Sequence, residues 1–196
     1  MDPRVTELHN IMPIANIGSI LKHGLLSHER AAKLVEKGTS VALSEVQDRR
    51  DKTQVPLGLK LHRYANLYFH ARNPMMYLRR DQAEQMCVLR VSTEVLAITG
   101  CVLSDRNAAA EWARFLAPAQ WVELSFDDIF ARDWRDSDST AYLRKKSRKC
   151  AEVLVPHAVP FKYLQGAYVV NDATAGRLTN AGFKLPIAVN PDLFFH

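Results

Sequence analysis

The sequence predicts an α+β fold, on three observations. Short apolar runs of strand length, among them MCVLRVST (86–93) and EVLVP (152–156), are separated by stretches with helical spacing of apolar residues. These strands and helices interleave irregularly, without the regular strand–helix series that forms a parallel sheet. The composition, 47% hydrophobic and 24% charged, is that of a globular protein. With 196 residues and neither a linker nor an internal repeat, the chain is expected to form one domain, 1–196.

The first part of the chain predicts two helices and a loop. Residues 14–27 have apolar side chains at helical spacing, and Gly24 is a typical helix C-cap. A second short helix is expected over 28–38, ended by Gly38. The stretch 40–58 opens apolar and then becomes polar, which predicts a long, partly helical loop.

The rest of the chain alternates between short strands and helices. Aromatic or β-branched runs bounded by turn residues predict strands at 66–71, 86–93, 97–105, 152–156, 166–171 and 185–190. Helical patterns predict a turn with a short helix at 72–77, helices at 107–116, 125–134 and 172–182, and a helical or irregular segment at 138–152. Ser125 is the expected N-cap of the helix at 125–134.

The distribution of charge and the cysteine content indicate what the protein binds and where it is found. The net charge of +5 is concentrated in basic stretches that predict a polyanion-binding surface at 49–52, 60–63, 77–81 and 143–149. No apolar run approaches the ~20 residues of a membrane helix, and the first residues lack a signal-peptide pattern. Cys87, Cys101 and Cys150 are an odd number without CxxC spacing. They indicate a cytoplasmic protein without a structural metal site.

Glu152 is the most unusual candidate for chemistry. It opens the apolar strand EVLVP directly behind the basic cluster 144–149, although an ionised carboxylate loses its hydration inside a protein. From the residues alone, it is either a catalytic carboxylate or a strand-edge residue that faces water. Arg49 and Arg50 are likewise either a phosphate clamp or a solvated pair. The sequence has no GxGxxG motif, P-loop, nucleophile elbow or HExxH motif, so Rossmann and NTPase sites are not supported.

Five segments, taken together, resemble the DarT family of DNA ADP-ribosyltransferase toxins. They cover most of the chain in the family's order: HNIMPIANIGSILKHGLL (9–26), SVALSEVQDRRDKTQVPLG (40–58), LYFHARNPMMY (67–77), SDRN (104–107) and RKCAEVLVP (148–156). The resemblance implies a PARP-like ADP-ribosyltransferase fold, in which a split, twisted central sheet surrounds an NAD+ cleft. It also implies NAD+ as co-substrate and no metal.

The resemblance implies roles for individual residues. Glu152 would be catalytic, because a carboxylate beside the ribose stabilises the positive charge that develops as nicotinamide leaves. Arg50 would be the second catalytic residue and contact both NAD+ and DNA. The other residues expected to bind NAD+ are His9, Asn16, Tyr68 (by stacking on nicotinamide) and Arg72. Those expected to bind DNA are Arg49, Lys52, Asn107, Lys145 and Lys146.

The acceptor base is where the sequence departs from part of the family. Some members that modify thymine carry histidine where Asn107 stands, and a related branch modifies guanine. An asparagine side chain has a donor and an acceptor but cannot carry a proton. Guanine is therefore the favoured acceptor and thymine the next. A base in single-stranded DNA already has its edge exposed, so no base flipping is needed.

The resemblance also implies a biological setting. ADP-ribosylation of DNA would block replication, so we expect a toxin of a toxin–antitoxin system. Its expected partner is an antitoxin of the macrodomain or NADAR type that hydrolyses ADP-ribose from DNA. Two alternatives remain open from the sequence: an ADP-ribosyltransferase that acts on RNA or protein, and a non-catalytic nucleic-acid-binding module.

Overall fold

The computed structural model describes residues 1–34 and 44–195, with the backbone alone for 44–47. These residues form strands β1 (Leu8–Pro13), β2 (Leu25–Leu26), β3 (Tyr64–Tyr68), β4 (Met86–Val91), β5 (Val102–Ser104), β6 (Phe115–Leu116), β7 (Glu152–Pro156), β8 (Ala158–Val159), β9 (Leu164–Val169) and β10 (Ile187–Val189). The helices are α1 (Ile17–His23), α2 (His28–Ala31), α3 (Ser44–Lys52), α4 (Pro74–Leu78), α5 (Phe126–Phe130), α6 (Ser139–Arg148) and α7 (Asp172–Asn180).

Eight strands form one mixed sheet, which agrees with the predicted α+β class. Their order is β10-β9-β4-β1-β3-β7-β5-β6, and β2 pairs with β8 in a separate two-stranded ladder. Neighbouring strands are antiparallel except β9 and β10, which are parallel. No helix in the described part of the chain is long and apolar enough to cross a membrane.

The eight-stranded sheet is split between β1 and β3. β1 pairs with β4 along its whole length, Leu8–Pro13. It meets β3 through the pair His9–Tyr68 alone in the described chain. Beside this pair, the side-chain amide of Asn10 donates to the backbone oxygen of Asn66 at 3.0 Å and takes the place of a ladder hydrogen bond. The structure thus has the split sheet that the resemblance predicted.

The two faces of the sheet differ in what they bury. Because successive strand residues point to opposite faces, Leu67 and Val153 lie on one face and Tyr68 and Glu152 on the other. The first face packs with α1 and α7 into the main hydrophobic core. Its strand residues Leu67, Leu89, Val91, Val153 and Val155 have no exposed surface. This core holds the sheet rigid beneath the opposite face.

The helix predicted over 107–116 is wrong. Residues 108–112 form turns instead, and Phe115–Leu116 is the strand β6, paired with β5. Asp105 accepts hydrogen bonds from the backbone and side chain of Arg114, at 2.9 and 3.1 Å, and these fold the segment back onto β5. Tertiary contacts therefore override the helix propensity of the alanines.

Other strands and helices also differ from the prediction in their presence or their bounds. The sequence did not predict β1, and the strand predicted at 97–105 is only Val102–Ser104. The second helix begins at His28 as predicted but ends at Ala31. Residues 35–43, which include the predicted stop at Gly38 and the start of the predicted loop at 40–58, lie outside the described residues.

Gly24 and Gly18 make a matched pair for testing how α1 is anchored. Gly24 has φ 73°, and an added Cβ would lie 2.4 Å from the backbone oxygen of Val159, whereas a Cβ at Gly18 meets nothing within 4 Å. We expect Gly24→Ala to lower the free energy of unfolding by about 2 kcal/mol or more. Gly18→Ala should raise it by up to about 1 kcal/mol. Urea denaturation of both variants tests this, and equal effects would contradict it.

Candidate active site

Three residues predicted for NAD+ binding and catalysis form a row across the sheet. His9 of β1 is paired with Tyr68 of β3, Tyr68 with Glu152 of β7, and Glu152 with Ser104 of β5. Directly opposed residues of neighbouring strands place their side chains on the same face. The row crosses the split of the sheet, so the three predicted residues are neighbours at the opening between its halves.

Glu152 is held as a buried, fully paired carboxylate. It is 1% exposed. Arg50 Nη1 donates to Glu152 Oε1 and Oε2 at 3.2 and 3.0 Å. The backbone amide of Ala108 donates to Oε1 at 2.8 Å. A buried charge needs such a partner and such hydrogen bonds, and here both fix the position of the carboxylate.

Arg50 has a further donor that its protein partners leave unused. The guanidinium lies on α3 and the residue is 8% exposed. Its Nη2 atom is buried and has no hydrogen-bond partner among the described residues. Because buried guanidinium donors are normally paired, this atom fits an anionic or hydroxyl oxygen of a bound ligand.

Tyr68 is the cross-strand neighbour of Glu152 and lines a cavity. Burial raises the pKa of Tyr68 well above its usual range, and the charge of Glu152 adds to the effect, so its hydroxyl stays neutral. The cavity has a volume of about 310 Å³. It is lined by Arg49, Tyr68, Pro74, Met75, Leu78, Asn107, Ala109, Ala110, Leu143, Lys146, Ser147 and Cys150. The structure thus brings the predicted DNA-binding residues Arg49, Asn107 and Lys146 together beside Tyr68.

Asn107 is oriented by its own turn. Its Oδ1 accepts from the backbone amide of Ala109 at 2.9 Å, and its backbone amide donates to the oxygen of Ser147 at 3.1 Å. With Oδ1 engaged in this way, the Nδ2 amide is the group that the side chain has left to donate to a ligand at the cavity.

His9 is fixed by hydrogen bonds at both ring nitrogens. Nδ1 accepts from the backbone amide of Ala71 at 3.0 Å, so Nε2 carries the proton and donates to Glu7 Oε1 at 3.0 Å. Glu7 also accepts from Arg90 Nε at 2.6 Å. Burial alone would raise the pKa of Glu7, but hydrogen bonds with His9, Arg90 and Tyr168 outweigh it and lower the pKa to about 2.

Comparison with known proteins identifies the family of this chain. The family model described as "ssDNA thymidine ADP-ribosyltransferase, DarT" matches residues 9–195. The chain belongs to the DarT family. The resemblance seen in the sequence is therefore confirmed, and with it the predicted enzyme class, NAD+-dependent DNA ADP-ribosyltransferase.

Individual DarT relatives agree. A DNA ADP-ribosyl transferase of Thermus sp. (strain 2.9) is 29% identical over 96% of this chain and 93% of its own length. A DNA ADP-ribosyl transferase–DNA ADP-ribosyl glycohydrolase fusion protein of Thermosipho africanus (strain H17ap60334) is 28% identical over 100% of this chain. The chain spans 51% of the length of that fusion protein.

A solved DarT structure has the same fold. The DarT of Thermus sp. 2.9 in complex with ADP-ribosylated ssDNA superposes with a TM-score of 0.85, at 25% identity, and 98% of each chain is covered. This match confirms the predicted ADP-ribosyltransferase fold.

Four residues predicted to bind ligand in this DarT-family chain have other partners or lie elsewhere. Arg72 donates to the backbone oxygens of Arg132, Asp192 and Phe194, and its guanidinium lies 4.1 Å from the ring centroid of Phe195. The structure thus favours a role in anchoring the C-terminal segment over its predicted role in binding NAD+. The other three do not line the cavity: Asn16, whose amide contacts Met12 Sδ, Lys145, which is paired with Asp136 at 2.7 Å, and Lys52, which is exposed at the end of α3 and whose role in DNA binding stays a prediction.

The basic cluster 144–149 does not compensate Glu152. Lys149 is buried and donates to the backbone oxygens of Ile129 and Ala131 at the end of α5. Arg148 donates to Asp128 at 3.0 Å. The cation that faces Glu152 is Arg50, which is 102 residues away in the sequence.

Some contributors to the site were missed. The backbone amide of Ala108 leaves no trace in a side-chain pattern, and Glu7 is two residues from His9, a spacing that places both on one face of an extended strand. Asp105 in the SDRN segment binds Arg106 and Arg114, and so holds the turn that presents Ala108. The acid directly before Arg106 was a usable signal for this ion-pair network.

The environment of the three cysteines does not activate them as nucleophiles. Cys87, Cys101 and Cys150 are all buried and free. Burial raises the pKa of each thiol to about 12, so they stay protonated. In the described residues, no group of three or more His, Cys, Asp or Glu side chains has the geometry to hold a metal ion.

The Glu7 network predicts a stability effect with a defined pH dependence. Because the pKa of Glu7 is lowered from 4.5 to about 2 on folding, its carboxylate stabilises the fold above the unfolded value. Glu7→Gln should lower the free energy of unfolding by about 2 kcal/mol near neutral pH. Since this stabilisation is lost as the pH falls from 4.5 towards about 2, the difference from the wild type should shrink over that window. Urea denaturation at several pH values measures it.

The exposed Glu111 provides the control, because Glu111→Gln should leave the stability unchanged across the same pH range. A Glu7→Gln deficit that stays constant down to acidic pH would contradict the assignment.

Proposed function

We propose that the protein transfers ADP-ribose from NAD+ to a base of single-stranded DNA and releases nicotinamide and one proton. The observation that carries this proposal is the buried Glu152 carboxylate, paired with Arg50 and in one row with His9 and Tyr68 at the split of the sheet. We treat residues 1–196 as one transferase domain. A non-catalytic binding module would leave this costly buried ion pair without a purpose.

Glu152 suits the step in which the nicotinamide bond breaks. Positive charge develops on the ribose as nicotinamide leaves with the electron pair of the bond, and a carboxylate that holds a ribose hydroxyl stabilises this charge. Arg50 and the amide of Ala108 fix Glu152 in advance, so little reorganisation is needed during the reaction. The carboxylate therefore acts mainly on the transition state.

Arg50 suits binding and orientation. A guanidinium remains charged and is a poor base at its normal pKa. Its unpaired Nη2 donor fits a phosphate or hydroxyl oxygen of NAD+, while Nη1 stays on Glu152. Arg50 thus couples the position of the nucleotide to the position of the catalytic carboxylate. Tyr68 supplies the ring for stacking on nicotinamide.

The cavity suits an unpaired base. Apolar walls from Pro74, Met75 and Leu143 match the faces of a base, and Arg49 and Lys146 lie at the same cavity for the adjoining phosphates. A single-stranded base enters such a cavity without the cost of unpairing. The ADP-ribosylated ssDNA bound by the Thermus relative supports DNA as the acceptor.

Guanine is the proposed acceptor, with thymine as the alternative. The Nδ2 donor of Asn107 can bind O6 or N7 of guanine, and also O4 of thymine. Asn107 cannot take up a proton, which separates this chain from the thymine-modifying members with histidine there. The family model's description names thymidine, so the nucleoside must be identified directly.

A toxin role with a dedicated hydrolase follows from the same chemistry. ADP-ribosylated DNA would block replication, and the Thermosipho relative carries transferase and glycohydrolase activities in one named fusion protein. We propose a DNA ADP-ribosyl hydrolase, of the macrodomain or NADAR type, as the antitoxin. The three free cysteines fit a cytoplasmic location.

Mass spectrometry of nucleosides tests the reaction. Single-stranded oligonucleotides incubated with NAD+ and the wild type should yield an ADP-ribosyl nucleoside, and its base decides between guanine and thymine. Glu152→Gln should reduce the yield at least about a hundredfold, because it removes the charge. Melting curves check the fold of this variant, and Glu111→Gln is the matched control. An adduct on RNA or protein but not on DNA would overturn the substrate.

Growth of cells that express the protein tests the toxin role. The wild type without an antitoxin should arrest growth, while Glu152→Gln at the same protein level should be tolerated, because the arrest depends on transfer. Glu111→Gln should arrest growth like the wild type. Arrest by Glu152→Gln would show that toxicity has another cause.

A further inference from the structure

A tight turn beyond α3 contains a leucine in an unfavourable conformation. The backbone amide of Gly58 donates to the oxygen of Val55 at 2.9 Å, which closes a four-residue turn. Pro56 takes the second position and Leu57 the third, with φ 57°. A turn of this kind normally has glycine or asparagine at its third position, because a side chain is strained at positive φ.

Leu57 is also fully exposed. Its relative exposure is 109%, the highest among the exposed large hydrophobic residues of the described chain. Neither the backbone conformation nor the solvation of this side chain favours the folded state. Leu57 combines a strained backbone with an exposed apolar side chain, and no contact within the described part of the fold compensates for either. This combination points to a contact with a bound partner.

The turn presents Leu57 at a fixed position. The backbone amides of Val55 and Leu61 donate to the oxygens of Leu59 and Thr53, both at 3.0 Å. The hydroxyl of Tyr64 accepts from the amide of Leu59 at 3.1 Å. Val55 is 2% exposed and anchors the base of the turn in a small core. The leucine therefore projects from a rigid support.

The surroundings of the turn are basic. Arg49 and Lys52 are exposed near the end of α3, and Lys60 is exposed on the far side of the turn. Of the nearby acids, Asp48 and Asp51 are both exposed, and Asp51 also contacts His62 at 3.3 Å, so two acids face three cations. A single apolar side chain among cations matches a nucleic-acid strand, in which uncharged base faces alternate with phosphates.

We propose that Leu57 packs against the face of an unpaired base of the DNA substrate, outside the cavity that takes the acceptor base. Arg49, Lys52 and Lys60 hold the neighbouring phosphates. Arg50 lies near the end of α3 that leads into this turn, and the strand that supplies the acceptor base would pass Leu57 on its way from the active site. Apolar side chains are used in this way against base steps by other nucleic-acid-binding proteins. This inference rests on the proposed function and adds a substrate contact to it.

Leu57→Gly provides a test that unfolding does not confound, because glycine relieves the strain at positive φ. The KM for an ssDNA oligonucleotide should rise about tenfold, while kcat and the KM for NAD+ stay unchanged. Leu57→Met keeps an apolar side chain at this position, so its KM for the oligonucleotide should remain that of the wild type. Val122→Ala, at a residue that is 70% exposed elsewhere on the surface, is the control.

The outcomes separate this inference from the proposed function. If the wild type transfers ADP-ribose to DNA and Leu57→Gly does so with an unchanged KM, the base contact is overturned and the proposed function stands. If the wild type forms no DNA adduct, both are overturned. A KM for DNA that rises in Leu57→Gly but stays at the wild-type value in Leu57→Met supports the contact.

Discussion

Glu152 is a negative charge at a place in the sheet from which water is excluded, and much of the site compensates for it. Arg50 supplies the opposite charge, and the amide of Ala108 supplies a hydrogen bond. The compensation comes from segments far apart in the sequence, so the carboxylate reaches its working geometry only when α3 and the 105–114 turn are both folded against β7. The same contacts that make the charge tolerable also make it immobile, which is what stabilisation of a developing charge requires.

The split of the sheet gives this charge its access. β1 and β3 share one pair, His9–Tyr68, so the halves separate beside the row of His9, Tyr68 and Glu152. The main core on the opposite face keeps both halves in register. In the proposed function, Arg50 and Tyr68 contact the nucleotide, and the cavity that Tyr68 and Asn107 both line takes the acceptor base.

The sequence allowed the fold class to be predicted and, through the family resemblance, the residues His9, Tyr68 and Glu152, but not their alignment in one row or the contacts between distant segments. Glu152 stood out because an acid at the start of an apolar strand conflicts with burial. Its compensation by Arg50 could not be foreseen, since the nearby basic cluster 144–149 was the more obvious partner. The alanines after Asn107 favour a helix by their propensity, but the hydrogen bond between Asp105 and Arg114 holds this segment in a turn. Backbone donors such as Ala108 have no side-chain signature at all.

The most direct test of the central claim is a crystal structure with a non-hydrolysable NAD+ analogue. We expect a ribose hydroxyl at about 3 Å from a Glu152 oxygen. We also expect the nicotinamide ring against Tyr68 and a ligand oxygen at Arg50 Nη2. A nucleotide bound elsewhere, with Glu152 contacting only Arg50 and Ala108 as it does here, would contradict the account. The pair would then be a structural ion pair, and the catalytic carboxylate would have to be sought among other residues.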